Sequence, residues 1–465
     1  MDKLTIFTLG RYLSFRLIKE KAEYFRNHWF VRNVIVFQAG DFTANFIQAL
    51  IGVFLARLLR PENYGIYALA FSLSGFMTVF LGFGASNAST TLLSEAYARN
   101  DSRSAKEILA FLAKTTLFLI TLVLVGALFA PWLGGVFYDN YKIGIYAAVL
   151  LIATAVGSIF FPFTLMALQI TRWIRAMTVL AFSNQFSRSI ASLLLVLAGF
   201  GVMGAIFGHL LGAIIMLTFS VILWERVAKR HPLFPSIWQV VLSIKNAPIK
   251  KYLGFSFWIT ADSNLSNLYN ILPIILTGMF VTASEVSFFK LAFGYINLVL
   301  SLIGPISILL NVEFPKMKAA EDGQGKLLRN FIKVSGYSLL FSVVLTTGAI
   351  IAAPLAFRIL YGASFAPSVK YVAGLFFYGA TMGVGVGLGP MWRAINKVKL
   401  SIIINTITLS IGVPAGLFLI KNFGLWGSVI WVSIIFNVSH IASMTLIIKE
   451  IRKMRIKSNN NLSSI

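Results

Sequence analysis

Residues 202–224 read VMGAIFGHLLGAIIMLTFSVILW, a run of 23 residues without a charged side chain. A helix of that length spans roughly 34 Å, which is enough to cross the ~30 Å hydrocarbon core of a bilayer. The whole chain has the same character, because 58% of its 465 residues are hydrophobic and only 12% are charged. Soluble domains carry about twice that share of charged residues. The sequence therefore predicts an integral membrane protein built from helices.

Apolar runs of similar length recur along the whole chain and give twelve candidate spans. We therefore predict an all-α integral membrane fold with about twelve transmembrane helices. The predicted spans are residues 34–57, 64–93, 108–130, 143–169, 173–199, 202–224, 252–279, 285–312, 330–353, 370–391, 400–420 and 425–448.

Basic residues set the orientation of these spans. The chain has 40 Lys and Arg residues against 16 Asp and Glu, a formal charge of +24. They lie between the apolar runs, as membrane orientation requires, so we predict no nucleic-acid partner. Segments on the side of the amino terminus hold 32 of them, and the opposite loops hold 6. This bias predicts a multi-pass protein of the cell (plasma or inner) membrane with both termini cytoplasmic.

The spans divide into two groups of six around a basic, proline-containing connection. The predicted regions are a cytoplasmic basic amphipathic segment (1–32), an amino-terminal six-helix bundle (33–224), a cytoplasmic linker (225–251), a carboxy-terminal six-helix bundle (252–448) and a polar, disordered cytoplasmic tail (449–465).

An offset of 222 residues relates the two halves. Leu69-Ala70-Phe71 recurs as Leu291-Ala292-Phe293, and the same shift carries the polar positions of the first span onto the seventh. Asp41, Asn45 and Gln48 become Ser263, Asn267 and Asn270, with Asp262 one residue away. Six spans per half give parallel repeats, so we predict two bundles around a central cavity. Chance similarity of two apolar segments is the alternative.

Residues 55–70, LARLLRPENYGIYALA, resemble a recurrent segment of the Wzx-type polysaccharide-biosynthesis flippases, and residues 82–86, GFGAS, resemble the segment that follows it. These proteins belong to the superfamily of multidrug, oligosaccharidyl-lipid and polysaccharide exporters. A structural role also accounts for the motif: Pro61 ends the first span, Glu62 suits the start of the second, and Tyr64 and Tyr67 suit the headgroup region.

The resemblance implies a flippase that moves a polyprenyl-diphosphate-linked oligosaccharide from the inner to the outer leaflet by alternating access. The implied partners are the lipid-linked glycan, membrane lipids, and a polymerase and glycosyltransferases of the same pathway. An ion-coupled multidrug exporter of the same superfamily is the alternative. The chain has no cysteine and no paired-carboxylate, nucleophile–base or phosphate-cradling motif, so we expect no enzyme activity, no metal and no cofactor.

Beyond the 38 basic residues counted with the loops and the adjoining span ends, two are left within the spans, where a charge needs a partner or a wet cavity. Arg188 lies roughly 22 Å into its span by helical rise, too deep for its side chain to reach the surface. We predict that it binds the diphosphate or an acidic sugar of the cargo; a salt bridge to Asp41 or Asp262 is the alternative. Lys290 is the second cationic candidate, although its stem can extend to the outer headgroups.

Asp41 and Asp262 are candidates for coupling transport to a proton or Na⁺, or for pairing with Arg188 and neighbouring amides. Four amides on the same spans are candidate substrate ligands: Asn45, Gln48, Asn267 and Asn270. His209 and His440 are expected to be packed and hydrogen-bonded, with a proton relay as the alternative for His209. The glycines of the tenth span, at four-residue spacing, favour close helix packing over a gating hinge.

Overall fold

The computed structural model describes residues 29–81, 85–246, 249–319 and 323–462. Every regular element within these ranges is helical, which confirms the predicted all-α class. Most of the predicted basic segment, residues 1–28, lies outside the described residues.

The amino-terminal half folds into helices α1 to α7, followed by a short helix α8 in the predicted linker. Asp101 and Asn140 begin two of these helices by accepting hydrogen bonds from backbone N–H groups of the first turn. The bounds are α1 (Trp29–Leu81), α2 (Ala85–Ala98), α3 (Ser102–Tyr138), α4 (Tyr141–Ser158), α5 (Phe161–Ile170), α6 (Ile174–Leu195), α7 (Gly201–Arg230) and α8 (Ile237–Ser243).

The carboxy-terminal half folds into helices α9 to α15. A capping box begins α10, because Thr282 accepts from the backbone of Glu285 while the Glu285 carboxylate accepts from the backbone of Thr282. The bounds are α9 (Ile249–Gly278), α10 (Ala283–Leu300), α11 (Gly304–Ala319), α12 (Gly323–Ala356), α13 (Ser368–Gly374), α14 (Phe376–Ala394) and α15 (Val398–Leu462).

Three breaks in the helices fall between predicted spans. Helix α1 breaks at Arg60, with φ 60°, directly before Pro61. Proline lacks an N–H and disfavours helical backbone in the residue before it, so Pro61 separates the first two predicted spans. Glycines with positive φ make the other two breaks, at Gly199 between α6 and α7 and at Gly424 inside α15.

Seven helical segments of the described chain are long and apolar enough to cross a membrane. An eighth is added if α13 and α14, which meet at a 51° bend, form one span. The chain is therefore a multi-pass membrane protein, as predicted. Two of the seven segments, Ile174–Arg230 and Val398–Met454, are 57 residues long and contain the glycine breaks.

The largest core cluster joins both halves of the molecule. It contains Leu59 and Leu69 of α1 together with Phe289 and Phe293 of α10 and Phe365 beyond α12, all buried. Where the two helices meet, a Cβ on Gly65 would overlap the carbonyl oxygen of Ala283. Helices α1 and α10, which carry the repeated Leu-Ala-Phe sequence, thus pack against each other through a glycine. The predicted repeat itself remains a prediction.

The glycines of the tenth predicted span serve close packing. A Cβ on Gly383 would overlap the carbonyl group of Ser338, and one on Gly379 would press against Thr346. Both contacts join α14 to α12. The bend of this segment lies at Leu375, where α13 gives way to α14, ahead of the glycines. These contacts favour the packing interpretation of the glycine spacing.

The predicted disorder of the carboxy-terminal tail is wrong for most of its length, because α15 continues to Leu462. Charged side chains support this extension. Glu450 pairs with Lys453 at 3.1 Å on the same helix and with Lys397 at 3.7 Å. Pairs spaced three or four residues apart stabilise a helix outside the membrane.

The close contact between Gly65 and Ala283 predicts that Gly65→Ala destabilises the purified protein, because the new methyl group forces the two helices apart. The free energy of unfolding should fall by roughly 1–3 kcal/mol, and the melting temperature should fall with it. Gly294→Ala on α10, where a Cβ meets no atom within 4 Å, is the control and should be neutral or slightly stabilising. Melting temperatures in lipid nanodiscs report both effects. Equal melting temperatures for the two variants would contradict the proposed close contact.

Candidate functional site

Two adjoining cavities lie where the amino-terminal helices meet α10. Gln48, Phe71, Ser189 and His209 line both, and their volumes are about 190 and 220 Å³. We call them together the cationic cavity. The other lining residues are Ile51, Gly52, Leu55, Tyr64, Tyr67, Ala68 and Lys290 of the first part, and Ser74, Gly75, Thr78, Leu150, Ala153, Thr154, Gln185 and Arg188 of the second.

Arg188 of α6 is half-buried in the wall of this cavity. Among the side chains that the structure describes, it forms no ion pair, and its Nε has no hydrogen-bond partner. Burying a cation without a counter-charge is costly. No described side chain supplies this counter-charge, and the cavity gives water or an anion room beside the guanidinium.

Two glycines make room for Arg188. A Cβ on Gly157 of α4 would overlap Nη2 of the guanidinium, and a Cβ on Gly212 of α7 would overlap the backbone of Arg188. Helices α4 and α7 therefore approach α6 closely at this level. The position of the guanidinium depends on these missing side chains.

Lys290 of α10 lines the other part of the cavity, beside Gln48, Tyr67 and His209. From its position near the end of a predicted span, its stem was expected to extend to the outer headgroups. The structure places it at the interior cavity instead, because α10 packs against α1. The cationic cavity thus carries two basic side chains from different halves of the chain, and no carboxylate is among the described side chains that line it.

His209 lies between the two cations and is hydrogen-bonded, as expected. Its Nε2 is 2.9 Å from the Tyr67 hydroxyl, and the two rings stack with centroids 6.1 Å apart. Tyr67 was expected near the headgroups, yet it points into the cavity. Tyr64 is also buried, with its ring edge-on to Phe365 of the other half.

The predicted polar stripe of α1 reaches the cavity at one position. Gln48 lines both of its parts, whereas Asn45 lines neither and is exposed. The side chain of Asp41 lies outside the side chains that the structure describes. Its predicted roles, ion coupling and charge pairing, remain predictions.

A third cavity of about 310 Å³ lies in the carboxy-terminal half, between α9, α14 and α15. We call it the neutral cavity, because its lining includes one carboxylate, Asp262, and one guanidinium, Arg393. Asn270 also lines it, whereas Asn267 is exposed elsewhere on α9. The described side chains include no group of three or more His, Asp or Glu that could hold a metal ion.

The structure separates Arg188 from Asp262, since they line different cavities and form no ion pair. The structure therefore does not contain the salt bridge between these two residues that was the predicted alternative. His440, expected to be packed and hydrogen-bonded, lies at the wall of the neutral cavity, where a Cβ on Gly385 of α14 would press against its ring. Its Nδ1 has no hydrogen-bond partner among the described residues.

Sequence analysis missed several polar residues of both cavities. Gln185 and Ser189 share the Arg188 face of α6 at helical spacing, and Ser401 and Asn405 are four residues apart on α15. Three- and four-residue spacing of polar side chains inside an apolar span was the signal that could have found them.

The comparisons with known proteins agree with this architecture. Residues 54–370 match the family described as polysaccharide biosynthesis protein. The chain belongs to the polysaccharide biosynthesis protein family. This confirms the resemblance seen at residues 55–70, which lie inside the matched region. No curated protein matches the sequence.

Solved structures show that this member of the polysaccharide biosynthesis family has a transporter fold. An inward-facing multidrug resistance MATE family transporter of the MOP superfamily superimposes with a TM-score of 0.67 at 15% identity, covering 89% of this chain and 95% of that one. The lipid II flippase MurJ, in an inward closed conformation, gives 0.65 at 16% identity, covering 90% and 87%. An outward-facing MATE transporter gives 0.62 at 18% identity, covering 91% and 96%.

The close approach of Gly157 to Arg188 predicts an energetic coupling between the two positions. Gly157→Ala should lower the melting temperature of the purified protein, because its methyl group displaces the guanidinium. In an Arg188→Ala background the same change should cost much less, since the space is then free. A double-mutant cycle of melting temperatures in nanodiscs measures the difference. Additive effects would show that the guanidinium does not occupy the space beside Gly157.

Proposed function

We propose that this protein is a flippase that translocates a polyprenyl-diphosphate-linked oligosaccharide, the repeat unit of a cell-surface polysaccharide, from the inner to the outer leaflet. The observation that carries the proposal is the cationic cavity, with Arg188 and Lys290 in its wall and no carboxylate among the lining side chains that the structure describes. A membrane protein of the polysaccharide biosynthesis family has a use for such a cavity, because its lipid-linked intermediates carry a diphosphate.

The diphosphate fits the chemistry of this cavity. A guanidinium can donate two parallel hydrogen bonds to phosphate oxygens, and a lysine adds a compact charge from the other side. The unpartnered Nε of Arg188 and the side chains of Gln48 and Gln185 add donors. The anion would supply the counter-charge that the described side chains do not give to Arg188.

The proposed mechanism requires two bundles that rock about the cavity. We propose twelve crossings: the seven apolar segments, one more from the break at Arg60 in α1, one from α9, one from the bent pair α13 and α14, and two more because the segments of 57 residues would each extend roughly 85 Å as a single helix, far more than one bilayer core. The breaks at Gly199 and Gly424 divide each into two legs of spanning length. The positive-inside bias places both termini in the cytoplasm, so the cargo would be loaded from that side.

Partners and coupling follow from this proposal. Glycosyltransferases would build the lipid-linked glycan on the inner leaflet, and a polymerase would use it on the outer one. Asp41 and Asp262 stay candidates for coupling transport to an ion gradient. The chain itself would carry out no covalent chemistry.

An ion-coupled multidrug exporter is the second candidate, because the MATE transporters with the same fold are described as multidrug resistance proteins. A cavity for cationic drugs should contain carboxylates, and the described part of the cationic cavity's wall has none. Resistance gained by a drug-sensitive host that expresses the protein would favour this alternative.

Flipping can be measured on the purified protein. In proteoliposomes loaded with a fluorescent short-chain polyprenyl-diphosphate sugar, Arg188→Ala should slow translocation about tenfold or more, because charge-assisted hydrogen bonds are lost. Arg188→Lys should fall between, since it keeps the charge without the paired donors. Arg103→Ala, at a side chain that is 91% exposed, is the control. Translocation at the wild-type rate in the Arg188→Ala protein would refute the proposed anion site.

The proposed topology can be tested with single cysteines, because the chain has none of its own. Lys142→Cys, at an exposed position in the first turn of α4, should react with a membrane-impermeant maleimide added to intact cells. Gln239→Cys, exposed on α8 of the linker, should react only after the membrane is permeabilised. The opposite labelling pattern would reverse the orientation and with it the proposed direction of loading.

A further inference from the structure

The neutral cavity differs from the cationic one in charge. Its lining side chains with a full charge are Asp262 and Arg393, which are of opposite sign. The described lining of the cationic cavity has two basic side chains and no acidic one. An anion gains little electrostatic attraction by entering the neutral cavity. An uncharged ligand with many hydroxyl groups meets both hydrogen-bond donors and hydrogen-bond acceptors there.

A chain of polar side chains runs along the wall of the neutral cavity. Ser439 donates to Oδ1 of Asn405 at 2.9 Å, Nδ2 of Asn405 donates to Ser401 at 3.5 Å, and Ser401 donates to Oδ1 of Asp262 at 3.5 Å. The last two distances are beyond the usual range for strong hydrogen bonds. The amide and the carboxylate therefore keep capacity for a ligand that both donates and accepts.

Aromatic side chains complete the wall. Trp392 lines the cavity, is 2% exposed, and its indole Nε1 has no hydrogen-bond partner among the described residues. Tyr269 and Phe436 lie edge to face with centroids 5.2 Å apart and also line it. Apolar rings beside amide, hydroxyl and carboxylate groups match a sugar, which has apolar C–H faces and a rim of hydroxyl groups. The volume of about 310 Å³ is at the small end of ligand cavities.

We propose that the neutral cavity is a subsite for an uncharged sugar ring of the transported glycan. Asn405, Ser401 and Asp262 bind its hydroxyl groups, and the cavity selects the cargo by its sugar while the cationic cavity holds its diphosphate. The assignment rests on the proposed flippase function for its biological meaning, but sugar binding can be measured apart from transport.

The test uses the full-length protein in lipid nanodiscs, because maltoside detergents would themselves compete for a sugar site. The probes are the methyl glycosides of glucose, galactose, mannose and N-acetylglucosamine, sodium glucuronate, and inorganic pyrophosphate. Thermal shifts in choline chloride buffer, with and without added NaCl, give the apparent affinities. We expect at least one neutral glycoside to stabilise the protein saturably, with glucuronate having a smaller effect.

Variants then assign each ligand to a cavity. Asn405→Ala and Ser401→Ala should each weaken glycoside binding about fivefold or more. Pyrophosphate should still stabilise both variants, which would show that they are folded. Ser433→Ala, also on α15, is the matched control, because the Ser433 hydroxyl donates to the carbonyl of Val429 one turn earlier and Ser433 is not among the residues that line the neutral cavity. Arg188→Ala should abolish the pyrophosphate response and leave the glycoside response unchanged.

Three results would overturn the sugar subsite. The first is that no neutral glycoside stabilises the protein, and the second is that glycoside stabilisation survives Asn405→Ala but falls with Arg188→Ala. The third is that Na⁺ alone stabilises the protein and Asn405→Ala removes this effect. If pyrophosphate does not stabilise the wild-type protein, that result would instead count against the proposed flippase function. The two ideas can therefore fail separately.

Discussion

Positive charge inside an apolar protein is the constraint on which the rest of the structure depends. Arg188 and Lys290 lie on helices α6 and α10 of a chain that is 58% hydrophobic, and the cavity they line has no carboxylate among the side chains that the structure describes. Desolvating such groups costs several kcal/mol per ion unless water or a counter-charge replaces the lost hydration. A water-filled cavity that binds anions offsets this desolvation cost, whereas a helix surface that faces lipid does not.

Small residues make this cavity possible. Gly157 and Gly212 let α4 and α7 approach α6 around the guanidinium, and Gly65 lets α1 approach the start of α10, which carries Lys290. In a bilayer, apolar side chains gain little by leaving lipid for protein, so close backbone contact contributes much of the helix association. The glycines that allow these helices to pack closely therefore also fix where the charged groups of Arg188 and Lys290 lie in the cavity.

The comparisons place this architecture in a fold shared at very low sequence identity. The MATE transporter and MurJ superimpose over about nine-tenths of the chain at 15% and 16% identity. A fold that tolerates such divergence does not specify a substrate, which is set by the side chains that line its cavities. Here those side chains separate two chemistries, a cationic cavity at the junction of the halves and a neutral, hydroxyl- and amide-rich cavity in the carboxy-terminal half.

The sequence by itself determined the membrane class, the all-α fold, the break before Pro61, the family, and the burial of Arg188. Each of these depends on local composition or on one residue type, which a single chain displays directly. Only the tertiary structure decided that Lys290 and Tyr67 turn to the interior, that Asp262 lies in a different cavity from Arg188, and that Ser401 and Asn405 lie beside Asp262. The physical reason is that a lipid-facing and a protein-facing helix surface are equally apolar, so hydropathy does not reveal which helices meet.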